Sequence, residues 1–482
     1  MPGVVVTTAV RTGPSVANVT PSATFFVVGQ TERGPSDEAL AVTSLADFEN
    51  KYGGFVSYGY VHPTIQTFFE EGGAVAYVSR VVGASATAGT LTLDDSTSDP
   101  AITLTAVGAG DWSTTLEAAV VAAGAGFAIR LFLNDVLVYS TGECSSAAQA
   151  VSKMTASAVA KRYVTAVDEG NGNPVVIAAT AFSAGDDDRS NIVTADYVNA
   201  LDLFLDTYGA GGVAIPGQNG STIWNALIDH SNTNHRIALC SFPEEHTTSE
   251  AIEDVADYAE ANNSEHAGFF YPWITIDREP GVSINIPPDG YIAAKRAVAH
   301  NTVGAWQTYA GLISEGTFVT GLVTPMSKAI GDELDEGRVN ALRIINGRVR
   351  IYGARTASSD EDNWRFLNAQ EMLNYVVVES AAALEDLVFS PIDGRQTLFA
   401  RVKSRLVGVL EPLRTAGGLY EAFDATGRRV DYGYTVTVNE TINPVTQLQG
   451  GLVRAKIGMR VSSVGDQIEV EVTKSNLSSS VV

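Results

Sequence analysis

Residues 364–410 read WRFLNAQEMLNYVVVESAAALEDLVFSPIDGRQTLFARVKSRLVGVL, and with its continuation to Tyr420 this stretch organises the rest of the chain. Apolar residues recur at helical spacing from Asn368 to Leu387, so a helix is predicted there with Met372, Tyr375, Val376, Leu384 and Leu387 near one face. Pro391 and Gly394 break it. A second helix is predicted over Thr397 to Leu410, turning Leu398, Val402, Leu406, Val409 and Leu410 inward and leaving Arg401, Lys403 and Arg405 on the remaining surface. None of the inward side chains titrates near neutral pH. The pair, led in by Trp364 and Phe366, therefore reads as a docking platform rather than a catalytic centre.

Composition sets the frame for that platform. The chain has 482 residues, which is long for one domain, and 45% hydrophobic content with 45 glycines and 17 prolines marks it as globular and turn-rich. Asp and Glu outnumber Lys and Arg by 55 to 31, giving a formal charge of -24. An acidic surface opposes phosphate backbones, so nucleic acid is not expected as a direct partner, and the cations of the second helix stand out against it. Cys144 and Cys240 are the only cysteines, which excludes a disulfide framework. The start MPGVVVTTAVRTG lacks a basic region and a long apolar core, and no run is long and apolar enough to span a bilayer, so cytoplasmic assembly without membrane insertion is expected.

Just upstream of the platform the run GARTASSDEDNWRFLNAQEMLNYV spans 353–376. It resembles the start of the C-terminal domain of contractile-tail sheath proteins, which occur in tailed bacteriophages, R-type bacteriocins and related injection systems. Where that family carries arginines at the helix entrance, this chain has Gln370 and Glu371. A stronger resemblance lies near the N-terminus. There Gly29, Arg33-Gly34-Pro35, Thr43-Ser44, Phe48, Tyr52-Gly53-Gly54, Gly72-Gly73 and Tyr77 to Val81 match the family pattern in order. They fall on a predicted strand over Phe25 to Val28, a strand over Leu40 to Val42, a helix capped by Ser44, a helix over Ile65 to Glu70 and a strand over Ala74 to Val81.

From Gly83 to about Asp187 the composition turns to Ala, Thr, Gly and Ser with short alternating runs, which predicts an inserted β-sandwich or barrel with one helix over Ser146 to Ala160. Its Gly108 to Trp112 segment, GAGDW, is similar to the family's insertion-domain signature, with the tryptophan expected at a buried sheet corner. From about Asn191 to Ala310, GGVAIPG, RIALCSFP and GFFYPWITI read as buried strands. Helices at Ser221 to His230 and about Ser249 to Asn262, the second opened by a Thr247-x-x-Glu250 capping box, separate them into a parallel-sheet pattern. YPWITID and IPPDGYIAAKRAV resemble a further sheath signature, with Asp289 in place of the usual serine.

The resemblance implies a multidomain α+β fold with a central α/β sheet domain of subtilisin-like type, an inserted all-β domain and a C-terminal α+β domain with extended terminal strands. The expected boundaries are 1–23 for an N-terminal strand and linker, 24–83 for the first part of the core and 84–187 for an outer, protruding insertion; 188–358 forms the rest of the core and 359–482 the C-terminal domain. It implies a structural subunit that stacks as rings around a tail tube and contracts to drive tube penetration and genome ejection. The implied partners are other copies of itself, the tail tube protein, and baseplate and tail terminator proteins. The place is a virion tail, assembled in the host cytoplasm; the alternative is the sheath of a bacterial injection system or bacteriocin. No cofactor and no metal are implied.

The β-branched runs Gly3 to Val10, containing Val4, Val5 and Val6, and about Gln467 to Thr473, containing Ile468, Val470 and Val472, lie at the chain ends. The first reads either as an edge strand on its own domain or as an arm donated to a neighbour, and the Gly/Pro-containing linker over Arg11 to Ala23 gives it reach. Receiving strands are expected around Tyr434 to Val438 and Leu452 to Val461, with Tyr434, Val436 and Val453 in contact. Arg401, Lys403 and Arg405 are expected to face the tube.

A serine hydrolase is the rival reading. The strand ends carry Ser241 with Glu244, Glu245 and His246, but a Ser241–His246–Glu245 triad would draw all three residues from one loop, and no G-x-S-x-G elbow occurs. The six histidines, His62, His230, His235, His246, His266 and His300, lack metal-site spacing, and the acidic runs at 186–188 and 331–337 lack the alternation of a calcium loop. Tyr208 to Gly212 lacks the lysine of a phosphate loop. Not an enzyme is the expectation.

Overall fold

The computed structural model describes residues 21–258 and 264–466. The expected terminal strands, with Val4, Val5 and Val6 at one end and Ile468, Val470 and Val472 at the other, lie outside the described residues. The chain opens with β1 (Thr24–Gly29), β2 (Leu40–Val42), α1 (Leu45–Tyr52), α2 (Val61–Glu70) and β3 (Ala76–Arg80). The insertion follows as β4 (Thr90–Asp94), β5 (Pro100–Ala106), β6 (Leu116–Ala123), β7 (Gly126–Leu133), β8 (Val136–Ser140), α3 (Ala147–Ala156), β9 (Val164–Asp168) and β10 (Ile177–Ala181). Then come α4 (Thr194–Leu201), β11 (Gly211–Ala214), α5 (Ser221–Asn234), β12 (Ile237–Ser241), α6 (Thr248–Tyr258), β13 (Ala267–Tyr271), β14 (Ile274–Glu279), β15 (Val282–Ile286) and α7 (Asp289–Thr302). The core closes with β16 (Val319–Leu322), α8 (Lys328–Glu336), β17 (Val339–Ile345) and β18 (Arg348–Ile351). Last are α9 (Glu361–Trp364), α10 (Leu367–Leu384), α11 (Thr397–Thr415), β19 (Ala422–Phe423), β20 (Arg429–Asp431), β21 (Tyr434–Thr437), α12 (Val445–Gln449) and β22 (Lys456–Met459).

An eight-stranded sheet in the order β18-β17-β13-β12-β11-β1-β3-β2 forms the centre. Its interior strands pair in parallel, while β2 and β18 are antiparallel edges. A parallel strand covered on both faces must be apolar at every position, and the TFFVVG of β1 is buried throughout. Phe25 and Val27 pack with Ile65 and Phe68 of α2 and Tyr291 and Ile292 of α7; Phe26 and Val28 face Leu201 of α4 and Trp224 and Leu227 of α5. The fold is thus α+β with helices on both faces of one sheet.

The insertion is all-β apart from α3 and short 3-10 turns. Two antiparallel sheets, β4-β5-β9 and β10-β6-β7-β8, enclose Leu104, Leu116, Val120, Ile129 and Leu131. Trp112 is buried ahead of β6, as the GAGDW reading expected. Gly108 and Gly110 there have φ of +84° and +125°, and a Cβ at Gly108 would lie 1.9 Å from the Gly34 carbonyl oxygen. Arg80 Nη1 donates to that same carbonyl at 2.9 Å. Two separate sequence signatures, Arg33-Gly34-Pro35 and GAGDW, therefore touch, and they seat the insertion on the core.

Several elements depart from the sequence reading. GFFYPWITI is two strands, not one: β13 lies in the central sheet, and β14 turns away at Pro272 to join β15 and β16 in a separate antiparallel sheet. Proline has no N–H to continue a ladder. The helix expected to end at Leu410 runs through Pro412 to Thr415. The bond Pro412 cannot make would go to the carbonyl of Gly408, which lies on the solvent-exposed face of the helix. Of the strand expected over Leu452 to Val461, only Lys456–Met459 is laddered, so Val453 lies outside it, although it packs against the C-terminal core.

Candidate assembly surfaces

The C-terminal platform is held to the core by buried polar bonds that originate at the helix entrance. Arg355, in the GART run, is buried, donates from Nε to Asp335 Oδ1 at 3.2 Å and pairs through Nη1 with Glu361 at 3.2 Å. Thr356 Oγ1 donates to the Trp364 carbonyl. Asn368 Nδ2 donates to the carbonyls of Trp306 at 3.0 Å and Ser462 at 3.2 Å. Gln370 Nε2 donates to Asn374 Oδ1 at 2.8 Å and lies 3.2 Å from His266 Nε2, while His266 Nδ1 lies 3.2 Å from the Arg236 carbonyl. Burial holds His266 below its ordinary range, so a neutral ring donating from Nδ1 and accepting at Nε2 satisfies both contacts.

Glu371 corrects the expectation that nothing titratable faces inward from the first helix. Arg296 of α7 holds it through Nε to Oε1 at 2.6 Å and Nη2 to Oε2 at 2.5 Å, with both side chains buried. The remaining Arg296 nitrogen, Nη1, donates to the Ser22 carbonyl at 2.5 Å. His300 Nδ1 lies 3.0 Å from Ser22 Oγ, and burial keeps its ring well below the usual histidine range. The neighbouring Lys295 turns to another buried carboxylate: its Nζ is 2.6 Å from Glu71 Oε2. Glu71 also accepts from the backbone N–H groups of Thr317, Phe318 and Val319. Burial pushes the Glu71 carboxyl up, but Lys295 and those amides outweigh it and hold the group below its ordinary value.

On α11 the buried stripe is Leu398, Phe399, Val402, Leu406, Leu410 and Leu413. Arg401, Lys403 and Arg405 are all exposed. At about 100° per residue Arg401 and Arg405 share one flank of that stripe, while Lys403 is turned roughly 200° from Arg401 onto the other. Arg405 is bonded to Asp386 at 2.5 Å; Arg401 and Lys403 form no ion pair among the described residues.

β21 and β22 form a two-stranded ribbon, pairing Tyr434 with Met459 and Val436 with Ile457. Val436 is buried against α11, and Tyr434 donates its hydroxyl to Glu411 Oε2 at 2.8 Å. The Arg414 guanidinium beside Glu411, with the Tyr434 hydroxyl, holds that carboxyl down at about 2. Each ribbon strand leaves one edge without a ladder partner among the described residues.

The strand ends of the central sheet do not assemble a hydrolase. Ser241 Oγ donates to Asp289 Oδ2 at 3.4 Å, and His246 Nε2 is 3.1 Å from Asp254 Oδ2. The nucleophile and base candidates thus face different carboxylates. Asp289 is buried at the start of α7, and desolvation pushes its carboxyl up to about 7. No cluster of metal-ligating side chains and no helix long and apolar enough to cross a membrane occurs among the described residues.

No protein-family model matches the chain, and no curated protein matches it. Solved structures do. The sheath complex of an extracellular contractile injection system, PVC, in its contracted state aligns with 18% identity and a TM-score of 0.54, covering 98% of each chain. A component of the anti-feeding prophage baseplate in its contracted state aligns with 17% identity and a TM-score of 0.57 over 98% of this chain and 99% of that one. A sheath tail protein of Listeria innocua aligns with 14% identity and a TM-score of 0.60 over 87% and 89%. At such identities the likeness is one of fold, and it runs the length of the chain: the fold is that of contractile sheath proteins.

Proposed function

We propose that this chain is the structural subunit of a contractile sheath. It polymerises with copies of itself as stacked rings around a tail tube, is capped by baseplate and terminator proteins, and shortens to drive the tube through an envelope. The observation that carries the reading is the end-to-end likeness to sheath chains, insertion and C-terminal platform included. The doubly covered central sheet supports treating the core as the subtilisin-like unit of such sheaths, used as a scaffold and not as an enzyme. A phage tail assembled in the host cytoplasm is the first setting. A bacterial injection system is the second, favoured by the near-complete coverage of the two injection-system chains.

The subunits are joined by exchanged strands. The open edges of the β21–β22 ribbon fit β-augmentation by Val4, Val5 and Val6 of one neighbour and Ile468, Val470 and Val472 of another. At about 0.5–1.5 kcal/mol net per hydrogen bond, each arm adds several kcal/mol before its side chains are counted. Electron microscopy of the purified protein should show tubes of stacked rings. Deleting residues 1–12 should leave a folded monomer that does not polymerise; normal tubes from that truncated chain would refute the exchanged-strand reading.

A further inference from the structure

Three asparagine–glycine pairs occur in the chain, Asn171-Gly172, Asn219-Gly220 and Asn346-Gly347, and the fold holds them differently. Such a pair carries its own chemistry. The glycine nitrogen, unshielded by a Cβ, attacks the asparagine side-chain carbonyl; a C–N bond closes a cyclic imide and ammonia leaves. Water then opens the ring at either carbonyl, giving aspartate or, with the main chain rerouted through the side chain, isoaspartate. The reaction needs an unheld asparagine side chain, an unengaged glycine N–H and a backbone free to turn. Asn171 lacks the first two: its Nδ2 donates to the Pro100 carbonyl at 2.8 Å, and the Gly172 N–H donates to Asp95 Oδ2 at 3.2 Å. Asn346 lacks the last. Asn346 and Gly347 have φ of +53° and +77° and close the β17–β18 hairpin, with Ile345 paired to Arg348 on its ladder. That twist is what a two-residue hairpin loop requires, so the ring closes there only by undoing the turn.

Asn219 is under none of these restraints. Neither its side chain nor the Gly220 N–H forms a hydrogen bond among the described residues. Gly220 has φ +92°, a conformation open to glycine, and a Cβ there would meet no atom within 4 Å, so the ring has room. The turn behind the pair is fixed by Gln218 N–H donating to the Ile215 carbonyl at 3.1 Å, which confines the freedom to these two residues. Electrostatics favour the same place. α5 begins at Ser221 with no side-chain cap and no acidic residue in its first turn, so its positive end lies unneutralised beside the Gly220 nitrogen, which must lose its proton to attack. We infer that Asn219 is a self-modification site, converting to aspartate and isoaspartate in the folded chain ahead of Asn171 and Asn346, with water as the only co-reactant. The two products act in opposite directions. Aspartate sets a carboxylate before the bare N-terminus of α5, where negative charge is stabilising. Isoaspartate adds a methylene to the main chain just ahead of the helix whose Trp224 and Leu227 cover one face of β1, and so presses on that packing. The charge of the chain and the seat of α5 therefore change as the protein ages.

Peptide mapping by mass spectrometry tests this on the purified full chain, incubated at mildly alkaline pH in water labelled with heavy oxygen. In the folded chain, position 219 should yield aspartate and isoaspartate together, each carrying one labelled oxygen. Asn171, with two hydrogen bonds to open first, should lag by about tenfold or more, and Asn346 should lag as well. In urea the three positions should react at similar rates, because the restraints are gone. Asn219→Gln, whose longer side chain closes the ring far less readily, should block conversion there, and Asn219→Asp should unfold in urea at a midpoint no lower than wild type. Conversion of Asn171 or Asn346 first, equal rates at all three positions in the folded chain, or aspartate without isoaspartate would each overturn the assignment. So would a position 219 that reacts in urea and stays intact in the folded chain. A lowered midpoint for Asn219→Asp would overturn the stabilising role given to the aspartate product.

Discussion

Arg296 and Glu371, seventy-five positions apart in sequence, face each other as a two-pronged buried ion pair at 2.6 and 2.5 Å. Desolvating both groups is expensive, so the pair is worth little against an apolar substitute, but breaking it strands a charge. Glu371→Ala should therefore lower stability by about 3–5 kcal/mol, while Arg296→Met combined with Glu371→Leu should come close to neutral. Urea unfolding of the two variants against wild type reads the difference. Equal losses in the single and double variants would show that packing, not charge, holds α10 to α7.

Glu71 supplies a pH test. Its carboxyl is held below its ordinary 4.5, so its contribution is fully present above that value and is lost as the pH falls through the lower folded value. Glu71→Gln should destabilise markedly at pH 7, and its deficit against wild type should shrink steadily in acid. A deficit that does not change with pH would remove the charge from the account.

Asp289 runs the other way. Burial raises its carboxyl from 3.8 to about 7, so the fold favours the protonated form; that advantage is complete below 3.8 and is lost as the pH rises through about 7. Asp289→Asn should gain on wild type between acid and pH 8 in urea midpoints. A constant difference across that range would mean that the carboxyl titrates alike in the folded and unfolded chain.

Charge reversal on α11 should discriminate between its flanks. Arg401→Glu with Arg405→Glu is expected to reduce decoration of purified tubes while tube-free polymerisation continues, and Lys403→Glu, on the other flank, should have a smaller effect. Exposed pairs worth about 0–1 kcal/mol each suit a contact that must later break. Equal effects from all three positions would favour a diffuse field over a contact edge.

Fluorophosphonate probes should leave Ser241 unlabelled, because its hydroxyl faces Asp289 while His246 faces Asp254. Labelling abolished by His246→Ala would reverse this expectation.

Local signals in the sequence sufficed where local physics decides structure. Ser44 caps α1 by accepting from Asp47 N–H, and the Leu40–Val42 strand sits where its flanking turns place it. The insertion announced itself by alternation and turns. What stayed hidden needed two distant segments at once. Glu71 closes a helix, the end where a carboxylate opposes the dipole, and that misfit was the available hint of a cationic partner elsewhere. Lys295 and Arg296 interrupt a helix buried from Asp289 to Ala297, which likewise demands partners without naming them. Gln370 and Glu371 looked like replacements for lost arginines; the charge instead arrives from α7. The break at Pro272 was legible too, since a strand interior does not accommodate proline.

The Ser22 carbonyl lies on the remaining nitrogen of Arg296, so the root of the N-terminal segment and the second turn of α10 hang from one guanidinium. Mechanically this is a junction of three members. A pull on the chain before Ser22 arrives at α7 and passes to the platform without crossing a flexible loop. Apolar surfaces can slide past one another because their attraction is non-directional, whereas a bidentate pair resists shear in its own plane. Displacement under load is therefore expected beyond this joint, in the glycine-bearing connections around Gly417, Gly418 and Gly433, so that body and platform travel together while the outlying ribbons bend.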